Sequence, residues 1–171
     1  MDRSPETRRL TEWVLLGLLD ESPNHGFALA RLLGRGGEIG RVWAASRPLT
    51  YRAIEQLVAA DLITPARTEA GDGPVRTVYR LRPAGRRAVR EWLATPVARF
   101  RDVRAELIVK LLLLERSNRS TAPLLRDQRR AFADALALAQ GTIETDAVSR
   151  WRRSQAHAIE AFLESGTAPL G

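Results

Sequence analysis

The sequence has no cysteine, and His25 and His157 are its only histidines. The lack of cysteine excludes disulfides, thiolate metal sites and a cysteine nucleophile. The two histidines fall in different predicted domains, so neither is expected to ligate a metal or to act as an acid–base catalyst. We therefore expect no metal and no cofactor.

Long apolar runs are also missing. The longest one, residues 107–114, is interrupted by Lys110 and is far shorter than a membrane span. The first ten residues, MDRSPETRRL, lack the apolar stretch of a signal peptide. We therefore expect a cytoplasmic protein without a membrane partner.

Signatures of catalysis are equally scarce. No Ser-His-Asp spacing, HExxH helix or paired-carboxylate motif occurs in the sequence. Gly34, Gly36 and Gly37 form a glycine cluster, but it lacks the Gly-Lys-Ser/Thr ending of a phosphate loop and follows a predicted helix rather than a strand. We expect that the protein is not an enzyme.

What the sequence does contain is arginine. The net charge is +7, and every basic residue except Lys110 is an arginine. The excess is concentrated between residues 46 and 90, where nine arginines stand against four acidic residues. A GC-rich genome alone would raise the arginine content, whereas a planar guanidinium also suits phosphates and guanine edges. The positions of the arginines must decide between these two interpretations.

The apolar periodicity predicts an ordered series of elements in the first half of the chain. Helices are predicted over residues 10–20, 25–33 and 47–60, and the first is apolar on more than one side, so it should be central. Two short strands, 62–69 and 75–81, flank a glycine-rich turn at 70–74, and Pro83 begins a fourth helix. This order is typical of a winged helix-turn-helix, predicted to span residues 1–96.

The second half of the chain is predicted to be wholly helical. Helices are expected over residues 102–115, 121–140 and 146–164. Three helices cannot readily bury two-sided apolar stripes against one another, and the economical partner is a second copy of the chain. Trp151 and Phe162 are interpreted as dimer-packing residues, with a ligand pocket as the open alternative. The fold class is thus mostly α with a small β-hairpin, and residues 97–171 form a helical dimerisation domain.

The third helix is predicted to carry polar and basic side chains on its outer face. Ser46 is a plausible N-cap, and Pro48 lies in the first turn, where a missing N–H costs nothing. On a helical wheel the inner face carries Ala53, Ile54, Leu57 and Val58, and the outer face with its flank carries Arg47, Tyr51, Arg52 and Gln56. The predicted wing adds Arg67, Arg76 and Arg80, placed for phosphate or minor-groove contact.

Residues 10–95 resemble the PadR family of transcriptional regulators, including its smaller, virulence-type branch. The matching segments are LLGLL at 15–19, SPNHGF at 22–27, TYRAIEQL at 50–57, DLI at 61–63 and VYRLRPAGRR at 78–87. Arg82 departs from the family pattern, which usually has a threonine that caps the fourth helix. The loss weakens that cap and offers one more arginine for DNA.

The resemblance implies a homodimer that is joined through its C-terminal helices. Each third helix would read half of a palindromic operator, usually to repress transcription, and a small-molecule effector such as a phenolic acid or a hydrophobic drug would control binding. By the matched motifs, Tyr51 with its neighbour Thr50 on the third helix, and Arg76 and Thr77 on the wing, are DNA-contacting residues. The predicted DNA-binding set is therefore Arg47, Thr50, Tyr51, Arg52, Gln56, Arg67, Arg76 and Thr77.

Several alternatives stay open from the residues alone. Tyr51 is also compatible with a packing role, and Arg86, Arg87 and Arg90 with a solvated helix face. The main rival function is a winged-helix adaptor that binds another protein, and a helical small-molecule binder is a second. A basic third helix favours DNA over an adaptor function.

Overall fold

The computed structural model describes residues 9–69, 75–143 and 145–165. The chain divides into two compact units, Met1–Leu93 and Ala94–Gly171. The turn predicted at 70–74 lies outside the described residues. The described part is mostly helical with one small antiparallel sheet, as the sequence predicts.

The first unit has the predicted order of helices and wing strands. Its elements are α1 (Leu10–Glu21), β1 (Asn24–His25), α2 (Gly26–Leu33), α3 (Arg47–Ala59), β2 (Ile63–Glu69), β3 (Arg76–Leu81) and α4 (Pro83–Ala94). Strand β1 was not predicted, because two residues are too short for an alternating pattern. Its Asn24 lies opposite Tyr79 of β3, so the hairpin becomes a three-stranded sheet in the order β1-β3-β2.

Helix α1 is the centre of this unit, as its all-round apolar character predicts. Trp13 of α1 and Trp92 of α4 are both buried, and their rings stack in parallel with centroids 5.2 Å apart. Burial of two such large aromatic surfaces is among the strongest local contributions to stability. The stack therefore joins the first and last helices of the unit.

Two tight junctions set the ends of the wing and of its neighbouring helices. The Nδ1 atom of His25 accepts a hydrogen bond from the backbone N–H of Ala28 at 3.0 Å, so His25 caps α2 as its expected helix-start position indicates. At the start of α4, a Cβ on Gly85 would lie 2.2 Å from the carbonyl oxygen of Leu62, so only glycine fits there. The Arg82 guanidinium, in place of the family's capping threonine, lies 2.9 Å from Asp61.

The second unit is helical throughout its regular structure. Its first helix starts at Phe100, earlier than predicted, as α5 (Phe100–Asp102), widens into a π-helical segment at Val103–Leu107 and continues as α6 (Ile108–Arg116). Helices α7 (Ala122–Gly141) and α8 (Ala147–Ser165) follow and pack against each other. Among the described residues, none of the helices combines the length and apolar content that a membrane span needs.

Candidate nucleic-acid interface

The buried face of α3 differs by one position from the predicted face. Its buried residues are Thr50, Ala53, Ile54 and Leu57, whereas Val58 is partly exposed. Thr50 fits inside because its hydroxyl donates to the carbonyl of Ser46 at 3.1 Å and is thereby satisfied. The side chain of Thr50 is buried, and its contact with DNA stays a prediction. Ser46 is the N-cap residue of α3, as predicted, but its side chain makes no capping hydrogen bond.

The other predicted residues of α3 lie on its accessible side. Arg47 and Arg52 are exposed, Tyr51 is 37% exposed, and Gln56 is half-buried. Arg47 is in the first turn of the helix, next to the wing, and Arg52 follows one and a half turns later. The basic outer face that the sequence predicts is therefore available to a partner.

Phe27 of α2 lies at the centre of this surface. The residue is 41% exposed. The guanidinium carbon of Arg47 lies 5.0 Å from the ring centroid, and that of Arg76 on β3 lies 5.3 Å from it. Arg47 also lies 5.9 Å from the Tyr51 ring centroid. Both distances to Phe27 fall within the range of cation–π attraction, so one exposed ring holds a helix arginine and a wing arginine.

These side chains surround a cavity of about 320 Å³, which we call the helix–wing cavity. Its lining residues are Gly26, Phe27, Arg47, Tyr51, Val75, Arg76, Thr77 and Tyr79. Burial raises the pKa of the Tyr79 phenol, and the neighbouring Tyr51 and Glu55 raise it further. Tyr79 therefore stays protonated at neutral pH and can donate a hydrogen bond.

Gly26 explains why the Tyr51 ring lies so close to α2. A Cβ on Gly26 would lie 2.9 Å from Cε1 of Tyr51 and 3.2 Å from its Cζ atom. The missing side chain thus provides the space that the ring occupies. Tyr51 both packs on α2 and lines the helix–wing cavity, so its packing and contact interpretations are compatible.

Three predicted DNA-binding residues lie elsewhere on the first unit. Arg52 and Gln56 line a second concavity of about 370 Å³, beside Leu49 and the start of α1. Arg67 lies on β2, the outer strand, and its guanidinium is 2.7 Å from Glu69. The structure thus gathers Arg47, Tyr51, Arg76 and Thr77 around one cavity and separates Arg52, Gln56 and Arg67 from it.

Some arginines of the basic segment have structural partners. Arg86 of α4 lies 2.9 Å from the carboxylate of Asp20, and Arg90 lies 3.9 Å from it. The Asp20 side chain is only 7% exposed, so these ion pairs connect α4 to the end of α1. This geometry favours the structural interpretation of Arg86 and Arg90 over a role in DNA binding.

Comparison with known proteins finds one family model and several solved structures that are similar to this chain. A sequence model described as the transcriptional regulator PadR-like family matches residues 15–91. Bacillus subtilis PadR in complex with operator DNA is 21% identical, with 94% of this chain and 99% of that chain covered and a TM-score of 0.50. The same protein in complex with p-coumaric acid is 18% identical, with 94% and 100% covered and a TM-score of 0.47.

A further solved structure, smu.1604c from Streptococcus mutans UA159, is 13% identical, with 93% of this chain and 96% of that chain covered and a TM-score of 0.45. No curated protein matches the sequence significantly. The match over residues 15–91 includes α2, α3 and both strands of the wing, which are the elements that carry the basic surface. Over residues 15–91 the chain therefore matches the PadR-like family of transcriptional regulators.

Proposed function

We propose that the protein is a sequence-specific DNA-binding repressor that acts as a homodimer on a palindromic operator. The observation that carries the proposal is the convergence of Arg47 and Tyr51 from α3 with Arg76 and Thr77 from β3 on one exposed surface. The fold likeness to a PadR protein in complex with operator DNA supports it. In this proposal residues 1–96 bind DNA, residues 97–171 form the dimer, and the protein acts in the cytoplasm.

The exposed residues divide the work of recognition. Arg52 and Gln56 project from the accessible side of α3, where a bidentate guanidinium suits guanine and an amide suits adenine. Arg47, Arg76 and the outer-strand Arg67 are suited to phosphates, whose contacts set position and affinity rather than sequence. In this proposal α3 recognises the base sequence, and the wing binds the phosphate backbone of the DNA.

Dimerisation is supported by apolar residues that the second unit leaves exposed. Leu138 is 75% exposed, Ile143 80%, Val148 55% and Trp151 66%. Exposed apolar side chains grouped on one part of a chain are typical of a protein–protein interface. Analytical ultracentrifugation of the Trp151→Ala and Val148→Ser variants tests this proposal. If both variants form the same dimer as wild type, the interface lies elsewhere.

A small-molecule effector is the remaining part of the proposal. The second unit contains a cavity of about 650 Å³ between its first helix and α8. Aromatic and cationic residues share its lining, among them Phe100, Arg104, Trp151 and Phe162. This mixture suits an aromatic anion. At least one member of a panel of aromatic acids should raise the Tm of the protein and release it from DNA. If no acid in the panel has either effect, the proposed ligand response is contradicted.

The experiment that tests DNA binding begins with selection of bound fragments from the parent genome. Recovered sites should be palindromic, with half-site centres about 10 base pairs apart or a multiple of that distance. Fluorescence anisotropy then compares this operator with a scrambled duplex at several salt concentrations. If the wild-type protein prefers no duplex over random competitor, with or without aromatic acids, the proposal fails and the winged-helix adaptor becomes the better hypothesis.

Two variants locate the DNA-binding surface in the same assay. Arg52→Ala should weaken operator binding by about 1–3 kcal/mol and reduce the preference over the scrambled duplex, because it reads a base edge. Arg76→Ala should weaken binding to both duplexes similarly and lower the salt slope by about 1, because it contacts phosphate. Unchanged binding in both variants would show that this surface is not the interface.

A further inference from the structure

The arrangement of two cations on the Phe27 ring calls for an explanation of its own. Arg47 and Arg76 come from different elements, yet each guanidinium carbon lies about 5 Å from the same ring centroid. The two guanidinium carbons, at 5.0 and 5.3 Å from one centroid, are therefore at most about 10 Å apart. Their mutual repulsion opposes this approach, and the attraction of each cation to the ring offsets it in part.

The surroundings of the pair favour an anion as their binding partner. Both arginines line the helix–wing cavity, and no acidic side chain stands among its described lining residues. Thr77 and Tyr79 line the same cavity, and the hydroxyl group of each is a hydrogen-bond donor. The partly exposed ring of Phe27 lies beside both arginines at the surface, where an anion can reach them.

We propose that Phe27 is a positioning residue that presents Arg47 and Arg76 as one cationic unit to the DNA backbone, at one phosphate or two adjacent phosphates. This inference rests on the proposed function and adds a specific device to it. The ring fixes the two guanidiniums before DNA arrives, so less side-chain entropy is lost when they bind. It also joins α3 to the wing, so that both elements contact the same stretch of one DNA strand.

The first test separates the aromatic face of Phe27 from its apolar bulk. Phe27→Leu keeps an apolar side chain without a π-face, and Phe27→Tyr keeps the ring. We expect Phe27→Leu to weaken binding by about 5- to 30-fold on operator and on scrambled duplex alike, and to flatten the salt dependence. Phe27→Tyr should bind within about twofold of wild type, as should the control Val58→Ala, which alters an exposed apolar residue of α3 outside the helix–wing cavity.

The outcomes of this test are distinct from those of the proposed function. If wild type binds its operator and Phe27→Leu matches it in affinity and salt slope, the inference about Phe27 is overturned while the proposed function stands. If wild type prefers no duplex, the proposed function itself has failed. Circular dichroism of each variant shows whether it is folded, and an equal loss in Phe27→Leu and Phe27→Tyr also overturns the inference.

The second test does not depend on a Phe27 variant and asks whether the two arginines share a phosphate. Operator duplexes with a single neutral methylphosphonate at each position in turn are bound by wild type, Arg47→Ala and Arg76→Ala. A methylphosphonate at the shared phosphate should weaken DNA binding by wild type but not by Arg47→Ala or Arg76→Ala. If the arginines contact two adjacent phosphates, the insensitive linkages of the two variants should be neighbours. Positions on opposite strands, or several linkages apart, would show that the arginines act separately and would overturn the proposal.

Discussion

Gln128 pairs with both backbone polar groups of Val97. The amide N–H of Val97 donates to Oε1 of Gln128 at 2.7 Å, and Nε2 of Gln128 donates to the carbonyl oxygen of Val97 at 2.9 Å. Both residues are buried. One side chain of α7 therefore satisfies the backbone of the segment between α4 and α5, where neither helix nor sheet is present to do so.

Loss of this two-point contact should be costly. We expect Gln128→Leu to lower the free energy of unfolding by about 2–4 kcal/mol, because a buried N–H and a buried carbonyl would both lose their partner. Urea denaturation measures this loss. The control is Gln140→Leu, also on α7, whose side chain is exposed and donates to Glu160 at 2.6 Å. If both variants lose the same stability, the Val97 contact has no special role.

Gly26→Ala should affect DNA binding more than stability. The new Cβ would lie 2.9 Å from the Tyr51 ring, which can move because it is a side chain at the surface. We expect about a tenfold loss of operator affinity, since Tyr51 lines the helix–wing cavity, with a loss of stability below about 1 kcal/mol. Gly36→Ala is the control, because a Cβ there meets nothing within 4 Å. Undiminished affinity of Gly26→Ala would show that the position of Tyr51 is unimportant for binding.

Lys110, the sole lysine, should give the protein a measurable response to alkaline pH. It is fully buried, its Nζ donates to the carbonyl of Thr95 at 2.7 Å, and it lies 2.9 Å from Glu106. Burial lowers the pKa of Lys110, and Glu106 and Asp102 offset part of that effect. The unfolded chain therefore binds the proton more tightly, so the contribution of Lys110 to stability rises with pH up to 10.5.

The measurement compares wild type with Lys110→Met by urea denaturation at a series of alkaline pH values. The difference in the free energy of unfolding, wild type minus variant, should increase towards pH 10.5, because wild type loses the cost of a buried charge as Lys110 deprotonates. Tyrosine titration is common to both proteins and cancels. A difference that is constant or that falls with pH contradicts the prediction.

Asp146 should stabilise the start of α8 while its carboxyl group is ionised. Its Oδ1 accepts from the N–H of Ser149 at 2.8 Å and from the Ser149 hydroxyl at 2.9 Å, and these bonds lower the pKa of Asp146. The stabilisation is therefore present above the usual value of 3.8 and is lost as the pH falls through the lower folded value. Asp146→Ala should lower the Tm at neutral pH.

Thermal unfolding followed by circular dichroism tests the role of Asp146. The gap between wild type and Asp146→Ala should shrink as the pH is taken below 3.8, because the protonated carboxyl is a weaker acceptor. Asp146→Asn, which keeps an acceptor oxygen, should lie between the two proteins at neutral pH. A gap that persists unchanged in acid would assign the effect to something other than the charge of the cap.

The elements themselves could be predicted because helices and wing strands follow from local periodicity. The predicted bounds of α3 and of both wing strands agree with the structure to within one residue at each end. The inner face of α3 was misassigned because a helical wheel cannot weigh Thr50 against Val58. The carbonyl of Ser46 makes burial of the threonine acceptable, and the surrounding core leaves the valine at the surface.

Composition and periodicity were sufficient to determine the order of the elements and the surplus of arginine around the third helix, and the motifs between residues 10 and 95 carried the resemblance to the family. Each of these depends on residues that are close in the chain. Only the tertiary structure decided three contacts. They are the approach of Arg47 and Arg76 to the Phe27 ring, the hydrogen bonds of Gln128 with Val97 and the pairing of Asn24 with Tyr79. These contacts join residues more than 15 positions apart, and their geometry depends on how whole elements pack, which no local pattern encodes.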